Sequence, residues 1–434
     1  MPHAYMMTRA TPGVLTILLA GGAGERLAPL TREEAKPMMP FGGIYRLIDV
    51  TLSNCINSGL TKICILTQHK ALSLNRHIRQ AWNILSPELG QFIEPIPPTR
   101  RRRETWYLGT ADAVYQNLQS IEDENPPLTL ILSADHVYKM NYRHMFDWHH
   151  KRRADVTVAT SQISPQEADR FGVLEMDAEF QVRGFVEKPS LESAGRSRFN
   201  PEACSASMGI YLFSTPVLLE ALLEDAEDSR STHDFGKDIL PKIIDRRRVV
   251  AYDFIDENKK EVRYWRDVGT IDAYYESNMD LVAVNPIFNL YDQDWPLRTG
   301  APSLPPAKFV FADEGRRAGV ALDSLVSHGC IISGGRVINC VLSAGVRVNS
   351  HAVVENSILH SNASIGRHCK ISRAIIEQDI QVPEHVEIGQ DLEADRKAGH
   401  FVTDSGIVVV HCDSPGVRCR KEAPPHSRNF TAEA

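Results

Sequence analysis

A repeat of aliphatic residues in the last third of the chain constrains the fold more than any other sequence feature. The position numbers of its members rise alternately by 11 and by 6, which gives a 17-residue period: Val320, Ile331, Val337, Val348, Val354, Ile365, Ile371, Val382 and Ile388. A second series has the same period: Leu325, Leu342, Leu359 and Ile376. An α-helix, with about 3.6 residues per turn, does not produce this spacing. A coil of three short strands does, so the region is predicted to form a parallel β-helix of about four coils.

The predicted solenoid contains no evident catalytic group. Four histidines lie in it at no metal-ligand spacing, and we expect surface or corner positions for all of them: His351, His360, His368 and His385. A solenoid leaves apolar edges that often pair with another subunit. Chemistry is therefore expected in the preceding part of the chain.

The first two-thirds of the chain alternate between short apolar runs and helical stretches. The segments Val14–Ala20, Lys62–Thr67 and Leu128–Ser133 are continuous apolar runs, which are typical of parallel strands buried on both faces. Residues 110–121 have helical spacing, with Thr110 as the expected N-cap. This alternation predicts a doubly wound α/β domain with a mostly parallel sheet.

A group of prolines marks the boundary between the two regions. Five of them lie close together: Pro286, Pro296, Pro302, Pro305 and Pro306. Because proline fixes the backbone and removes a donor, we expect an extended, semi-rigid connection here. The chain is therefore divided into an α/β domain over 1–285, a proline-rich linker over 286–315, and a solenoid with a C-terminal tail over 316–434.

Charge and composition exclude several classes of function. The 434 residues carry a net charge of −7, which gives no basic footprint for nucleic acid. No run approaches the roughly 20 apolar residues of a membrane-spanning helix, and the first residues lack signal-peptide features, which favours a cytoplasmic protein. The eight cysteines form no Cys-x-x-Cys pair, so neither a zinc site nor a disulfide framework is expected, and reduced thiols are expected throughout.

Glycines directly follow the first predicted strand. Gly21, Gly22 and Gly24 precede Arg26, and such a turn lets backbone N–H groups approach phosphate oxygens while the guanidinium adds bidentate charge. The turn lacks both the third glycine of a dinucleotide fingerprint and the Gly-Lys-Ser/Thr of a P-loop. From this motif alone, a polyphosphate cradle and a purely structural turn both remain open. A basic run at 100–103 is a second candidate for phosphate contact, against the alternative of a solvated surface.

Three further motifs place charged groups at predicted strand ends. Asp135, in Ser-Ala-Asp-His, stands where ligands bind in open α/β sheets and suits Mg²⁺, although a helix N-cap explains it equally well. Lys188, in Glu-Lys-Pro, offers a point charge to a phosphate or simply pairs with its neighbour on the surface. Asp267, in Tyr-Trp-Arg-Asp-Val-Gly, is a candidate second metal ligand. Each of these motifs is weak evidence by itself.

Together, and in this order, the motifs resemble the sugar-1-phosphate nucleotidylyltransferases. Within that family the chain looks like the bacterial glucose-1-phosphate adenylyltransferases, also called ADP-glucose pyrophosphorylases. The resemblance covers almost the whole chain and is carried by these stretches: LAGGAGERL, AKPMMPFGG, RLIDVTLSNCINSGL, WYLGTADAVYQN, SADHVYKMNY, FVEKP, HDFGKDILP and YWRDVGTIDAYYESNMDL. The longer ones are highly specific to this group.

The resemblance implies that ATP and glucose 1-phosphate react to give ADP-glucose and diphosphate, the committed step toward bacterial glycogen. It also implies a left-handed β-helix, a homotetramer, and Mg²⁺ held by Asp135 and Asp267. The implied catalytic residues are Arg26, Asp135, Lys188 and Asp267. The implied ATP-binding residues are Gly21, Gly22, Gly24, Arg26, Lys36 and Gly109. The implied glucose 1-phosphate-binding residues are Tyr107, Gly172, Glu187, Lys188 and Ser207.

Allosteric control by sugar phosphates and AMP is a further implication. In some relatives basic residues just after the glycine turn take part, whereas here Glu33 and Glu34 are acids and Pro40 replaces a polar residue. Arg46 is retained. We therefore expect an anion site in the cleft between the two domains, built from Arg46 and arginines of the solenoid.

Three alternatives remain open. The same chemistry with another base would make dTDP- or UDP-glucose, although WYLGTADAVYQN and the solenoid favour ATP. A regulatory subunit would bind the ligands without turnover, but retention of the four implied catalytic residues argues against it. An acyltransferase activity of the solenoid would need a catalytic histidine in a long loop, which the sequence does not offer.

Overall fold

The structure is a computed structural model that describes residues 13–22, 24–98, 106–300, 302–313 and 317–420. The basic run at 100–103 therefore lies outside the described residues. The α/β domain contains these elements, in chain order: β1 (Val14–Ala20), β2 (Pro40–Phe41), β3 (Tyr45–Arg46), α1 (Leu47–Asn57), β4 (Lys62–Thr67), α2 (Ala71–Ala81), β5 (Phe92–Ile96), α3 (Thr110–Gln116), α4 (Leu118–Glu124), β6 (Leu128–Ser133), β7 (His136–Tyr138), α5 (Tyr142–Arg152), β8 (Val156–Ile163), β9 (Gly172–Met176), β10 (Val182–Glu187), β11 (Cys204–Ser214), α6 (Thr215–Glu227), α7 (Leu240–Ile243), β12 (Val249–Asp253), β13 (Trp265–Asp267) and α8 (Ile271–Met279).

The three apolar runs form the centre of the main sheet, as predicted. β1 pairs in parallel with β4 and β6, and β5 continues the parallel arrangement beyond β4. On the other side, β11 runs antiparallel to β6 and pairs with β8 and β9. Apolar clusters cover both faces, so the side chains of Leu15, Ile17 and Leu18 are all buried. The carboxyl ends of β1, β4 and β6 consequently meet at one edge of the sheet.

The helix predicted over 110–121 is interrupted. Asn117 separates α3 from α4, and its side-chain amide donates to the carbonyl four residues earlier. Thr110 is not the N-cap, since Gly109 holds that position. The Thr110 hydroxyl instead donates to Oδ2 of Asp234, 2.9 Å away. The local pattern predicted that this hydroxyl would cap its own helix, but it bonds to a residue distant in the sequence.

The proline-rich linker lies against the α/β domain. Phe288, Trp295 and Leu297 are buried there. The indole Nε1 of Trp295 donates to Oδ1 of Asn54 in α1, over 2.8 Å. The connection therefore packs along α1, and it contains neither a helix nor a strand between 283 and 300.

The solenoid follows, as predicted. Its elements are β14 (Lys308–Val310), β15 (Val320–Leu322), β16 (Leu325–Val326), β17 (Ile331–Ser333), β18 (Arg336–Ile338), β19 (Val341–Leu342), β20 (Arg347–Val348), β21 (Val353–Glu355), β22 (Ile358–Leu359), β23 (Ser364–Ile365), β24 (Lys370–Ser372), β25 (Ala374–Ile376), β26 (Ile380–Val382), β27 (Glu387–Ile388), α9 (Leu392–Lys397), β28 (Phe401–Val402), β29 (Val408–Val410) and β30 (Arg418–Cys419). These strands form three sheets that run along the solenoid, each built mainly from parallel strands of successive coils. The 17-residue period is confirmed in the column Val337, Val354, Ile371 and Ile388, which is fully buried.

The first coil is one residue shorter than the later ones. Ile332 pairs with Val348, and Ala321 pairs with Val337, so each step there falls one residue short of the 17-residue period. Three residues were therefore predicted to point inward where the next residue in the sequence does so: Val320, Leu325 and Ile331. A one-residue shift turns a strand's side chains to its other face, and Ile332 fills the inward position.

Corner residues of the solenoid have left-handed backbones. One corner column has φ values between 58° and 69°: Gly334, His351, His368 and His385. The three histidine rings are exposed and stack with centroids 4.8 Å apart. The predicted corner positions are thus confirmed for these three. His360 is an exception, because it is only 3% exposed and belongs to the contact between the domains.

The expectation of reduced thiols is wrong for two of the eight cysteines. Cys412 and Cys419 form a disulfide across the turn that joins β29 to β30, and β30 lies beside β26. The other six are free and buried. Among the described residues, no helix has the length and apolar character that crossing a lipid bilayer requires.

One face of the solenoid packs on the α/β domain. Outward side chains of the sheet that contains β19, β22, β25 and β29 are buried against it: Val341, Ile358, Ile375 and Val409. Tyr274 and Tyr275 of α8 are buried in the same apolar cluster. The solenoid thereby contacts the helix that directly follows β13.

Candidate active site

Two acidic residues from distant motifs meet at the carboxyl edge of the sheet. Asp135 follows β6, and β7 then pairs antiparallel with β13, which sets Asp267 opposite His136. One side-chain ligand atom from each of Asp135, His136 and Asp267 lies within 4.8 Å of the others. Two carboxylates and an imidazole arranged in this way can coordinate a divalent cation.

Lys36 joins this pair of acids. Its Nζ lies 2.5 Å from Oδ2 of Asp135 and 3.6 Å from Oδ1 of Asp267, and its side chain is only 11% exposed. Burial alone would lower the pKa of Lys36, but the two carboxylates outweigh it and raise that pKa. Burial would likewise raise the pKa of Asp135, yet the Lys36 ammonium holds it well below its usual range. Lys36 and Asp135 are therefore both charged at neutral pH.

His136 is a residue of this site to which the sequence assigned no role. Its Nε2 lies 3.6 Å from Oδ1 of Asp135 and 3.6 Å from Oδ1 of Asp267. Its ring packs edge-on against Trp265, with centroids 5.6 Å apart. The only sequence signal was its place directly after Asp135 in a motif already noted for the acid.

The glycine turn folds back over Lys36. Gly24 has φ of 69°, and a Cβ there would meet Cγ2 of Thr31 at 3.1 Å and Cβ of Lys36 at 3.3 Å, so this position requires glycine. A Cβ on Gly22, in contrast, would meet none of the described atoms within 4 Å. The backbone at Gly22 is thus accessible to a ligand.

Two other residues of the implied ATP side flank the acids. A Cβ on Gly21 would lie 3.1 Å from Cβ of Gln68, which follows β4. Nη2 of Arg26 would lie 3.2 Å from a Cβ on Gly269, two residues after Asp267. The structure therefore gathers the glycine turn, Arg26, Lys36 and both acids at one place.

The implied glucose 1-phosphate residues form a neighbouring group. Lys188 follows β10 with a left-handed backbone of φ 50°, and its Nζ lies 3.5 Å from Oε1 of Glu187. Burial raises the pKa of Glu187, against the opposing charge of Lys188. A Cβ on Gly172 would lie 2.8 Å from Oε2 of Glu187, so glycine leaves that carboxylate its space.

Ser207 connects the two groups. Its hydroxyl donates to the Tyr211 hydroxyl over 3.4 Å and accepts from the backbone N–H of Gly209 over 3.2 Å. A Cβ on Gly209 would lie 3.7 Å from Cε1 of His136. The sugar-phosphate group and the acid pair therefore adjoin each other along β11.

Tyr107 and Gly109 lie at the start of α3. The Tyr107 hydroxyl accepts from Nδ2 of Asn117 over 3.0 Å. A Cβ on Gly109 would come within 2.3 Å of the carbonyl oxygen of His233, so this glycine is required for backbone packing. Asp234, which the sequence did not single out, bonds to Thr110 beside it.

Comparison with known proteins agrees with this arrangement. The model of the nucleotidyl transferase family matches residues 15–283, and the model described as GlmU-like, C-terminal hexapeptide matches residues 305–410. The glucose-1-phosphate adenylyltransferase of Koribacter versatilis is 60% identical over 400 residues, which cover 92% of this chain and 95% of the relative. The chain belongs to the glucose-1-phosphate adenylyltransferase family.

Other members of the glucose-1-phosphate adenylyltransferase family are similar over the same span. The enzyme named so in Rhodopirellula baltica is 53% identical, covering 91% of this chain and 89% of its own length. That of Methylococcus capsulatus is 49% identical, covering 95% and 96%. The similarity therefore includes both the α/β domain and the solenoid.

Arg46 lies away from the acid pair, in a cleft of about 220 Å³ between the domains of this glucose-1-phosphate adenylyltransferase family member. Its Nη1 donates to the carbonyl oxygen of Met38 over 3.1 Å. The solenoid lines the cleft with these residues: His360, Glu377, Gln378, His411, Cys412, Asp413 and Cys419. None of the described lining residues is a solenoid arginine, so that expectation is wrong. The docked face is largely apolar, and arginines such as Arg336 and Arg347 are exposed on the other sheets.

Proposed function

We propose that this chain transfers the adenylyl group of ATP to glucose 1-phosphate, forming ADP-glucose and releasing diphosphate. The observation that carries the proposal is the convergence of Asp135, Asp267 and Lys36 at the carboxyl edge of the sheet, beside the glycine turn. The names of the relatives support the choice of substrates. ADP-glucose would then serve as a glucosyl donor for glycogen.

A phosphate oxygen of glucose 1-phosphate would attack the α-phosphorus of ATP in line. The new P–O bond forms as the bond to the β-phosphate oxygen breaks, and diphosphate leaves with that electron pair. No covalent enzyme intermediate is needed, so positioning and charge neutralisation do the work. Arg26 and Lys36 would bind the triphosphate, and the open backbone at Gly22 would let its N–H approach a phosphate oxygen.

Both reactants are anions, so they repel each other until cations offset the charge. Lys188 would bind the phosphate of glucose 1-phosphate, since its side chain is 52% exposed beside Glu187. Glu187 would accept hydrogen bonds from sugar hydroxyls, because its carboxylate is partly buried and Gly172 leaves room beside it. Ser207 would complete this side.

The residues present fit Mg²⁺. Asp135 and Asp267 offer oxygen ligands, which this hard cation prefers, and few protein ligands are needed because Mg²⁺ keeps several waters. When bound, Mg²⁺ would neutralise charge on the phosphates. Lys36 would then turn from the carboxylates toward the triphosphate, because the cation replaces its charge.

Nucleotide preference tests the proposal. With glucose 1-phosphate and Mg²⁺, diphosphate release is expected to be at least about tenfold faster in kcat/KM with ATP than with UTP or dTTP, and ADP-glucose should be the product. Omission of glucose 1-phosphate is the control for simple ATP hydrolysis. Preference for UTP or dTTP would instead support the alternative of a UDP- or dTDP-glucose enzyme, and no turnover with any nucleotide would contradict both.

Control by small anions is a further part of the proposal. Arg46 is supported as a contact residue because it lines the cleft, where the second cation, Arg32, is paired with Asp413. The other acids of the cleft, Glu33, Glu34 and Glu377, disfavour a strongly charged ligand. We expect at least one of fructose 6-phosphate, fructose 1,6-bisphosphate, pyruvate and AMP to change the rate, and Arg46→Ala to weaken that response by about tenfold or more. No response to any of them would contradict this part.

We also infer a homotetramer. Exposed Phe309 and Leu322 on β14 and β15, at the open end of the first coil, support association of solenoids. Light scattering should then give about four times the chain mass of 48.5 kDa, and a monomer would contradict the inference.

A further inference from the structure

One hydroxyl group joins three parts of the molecule. The Tyr274 hydroxyl in α8 donates to the carbonyl oxygen of Pro40 over 2.6 Å, and it lies 2.8 Å from Nε2 of His360 in the solenoid. Tyr274 is completely buried, and His360 is 3% exposed. The hydrogen bond between Tyr274 and His360 is therefore buried, and the one to Pro40 partly buried, so losing a partner here is costly.

The proton positions follow from the inventory of donors. The carbonyl oxygen of Pro40 can only accept a hydrogen bond, so the single proton of the Tyr274 hydroxyl is used in that bond. The Tyr274 hydroxyl must therefore accept its second hydrogen bond from Nε2–H of His360. Burial lowers the pKa of His360 to about 3, and the Arg46 guanidinium acts in the same direction. The ring is therefore neutral at physiological pH, and one ring proton is fixed on Nε2.

Both segments tied by this hydroxyl lead directly to the active site. Pro40 lies four residues after Lys36, and the short helix Lys36–Met38 fills most of that interval. Tyr274 lies seven residues after Asp267, and Thr270 caps α8 between them by accepting from N–H of Ala273. Lys36 and Asp267, only 3.6 Å apart at one end, are thus also held together at the other.

We propose that His360 is a positioning residue for the reaction: through the Tyr274 hydroxyl, the solenoid sets the distance between the Lys36 segment and the Asp267 segment. The inference rests on the proposed function, since it assigns both segments to the reaction. It gives the solenoid a part in catalysis although its described residues include none of the implied catalytic groups.

A second phenol on α8 offers a matched comparison. The Tyr275 hydroxyl donates to the carbonyl oxygen of Asn356 in the solenoid over 2.6 Å. It resembles the Tyr274 contact in type and length, but it does not bond to the Pro40 segment. If α8 needed only to be docked on the solenoid, both phenols would matter equally.

The experiment compares full-length variants in two measurements. The variants are His360→Leu, His360→Gln, Tyr274→Phe, Tyr275→Phe and the double variant His360→Leu with Tyr274→Phe. The first measurement gives kcat, the two KM values and the Mg²⁺ concentration for half-maximal rate. The second is hydrogen exchange of residues 265–275 without ligands, with residues 156–163 of β8 as an internal reference.

His360→Leu and Tyr274→Phe are each expected to lower kcat and raise the half-saturating Mg²⁺ concentration by about tenfold or more. The double variant should match Tyr274→Phe, because both changes remove one link. His360→Gln keeps an N–H donor and should retain most of kcat, and Tyr275→Phe should stay within about twofold of wild type. Faster exchange over 265–275 should accompany His360→Leu, Tyr274→Phe and the double variant, but neither His360→Gln nor Tyr275→Phe.

The proposal would be overturned if Tyr275→Phe lowered kcat as much as Tyr274→Phe. It would also be overturned if the fold-losses in kcat of the two single variants multiplied in the double variant. If His360→Leu fails to fold, Tyr274→Phe and His360→Gln decide by the same measures. If the wild type does not convert ATP and glucose 1-phosphate to ADP-glucose, the proposed function fails. Hydrogen exchange over 265–275 then still decides whether His360 orders that segment.

Discussion

Replacing Asp135 with asparagine is expected to lower kcat by about 10²–10³-fold, the usual cost of removing one electrostatic group from a transition state. Asparagine preserves the shape of the side chain and can accept the hydrogen bond from the Ser133 hydroxyl. It removes the negative charge that a divalent cation would need. The ion pair between Lys36 and Asp267 remains, so the local structure should persist.

The measurement is steady-state diphosphate release at saturating ATP and glucose 1-phosphate, with the far-ultraviolet circular dichroism and the unfolding midpoint taken alongside. Asp123→Asn is the matched control, because Asp123 is an exposed carboxylate on α4, which leads into the amino end of β6. Its activity should equal wild type. Near-normal turnover in Asp135→Asn would contradict the assignment of the site.

Much of this site could be predicted because its residues stand at strand ends. Asp135 follows a fully buried parallel strand, and the carboxyl ends of such strands are where ligands bind. Asp267 was proposed as a second metal ligand from its motif. That the two carboxylates meet depends on the pairing of β7 with β13, which are separated in the chain by all the elements from α5 to β12, and no local pattern encodes such a pairing.

Two of the misplaced residues, His360 and Thr110, were misplaced for the same reason. His360 was expected at the solenoid surface, but the apolar face of the solenoid turned toward the α/β domain and buried it. Thr110 was expected to cap its own helix, but Asp234 takes its hydroxyl. In both positions the deciding partner is distant in the chain: Asp234 for Thr110, and Tyr274 for His360. Periodicity predicts which face of an element is apolar, and it does not specify what will cover that face.

The repeat shows the same limit on a smaller scale. Its 17-residue period predicted the later coils because each column places one branched residue inward per coil. The first coil is a residue shorter, and aliphatic residues occupy both the inward and the neighbouring position: Ile331 beside Ile332, and Leu325 beside Val326. Where both neighbours are apolar, the sequence pattern cannot choose the register.

Replacing Lys36 with glutamine is expected to destabilise the protein by about 3 kcal/mol in the absence of divalent cations, since removing one partner of a buried ion pair leaves its counterpart unpaired. Here two carboxylates, of Asp135 and Asp267, would lose the cation that separates them. Lys62→Gln is the matched control, because the Nζ of Lys62 is also 2.5 Å from a carboxylate oxygen, that of Glu124, but is 41% exposed. An exposed pair of this kind contributes less than about 1 kcal/mol. Urea unfolding of both variants measures the difference.

The pH dependence of this loss follows from the two pKa shifts at the ion pair. The pKa of Lys36 is raised, so its contribution is complete below its ordinary value of 10.5 and disappears only as pH rises through the raised value. The pKa of Asp135 is lowered, so its contribution is complete above its ordinary value of 3.8 and disappears as pH falls through the lowered one. The part of the stability difference that these two groups contribute should therefore stay constant between about pH 6 and pH 9.

Divalent cations should reverse the loss selectively. Mg²⁺ binding between the two carboxylates replaces the missing charge, so millimolar Mg²⁺ is expected to stabilise Lys36→Gln more than wild type, where Lys36 competes for the same oxygens. Activity should nevertheless stay low, because the triphosphate would still lack the Lys36 contact. A variant no less stable than Lys62→Gln, or one that Mg²⁺ stabilises no more than wild type, would show that Lys36 does not stand in for the metal between these acids.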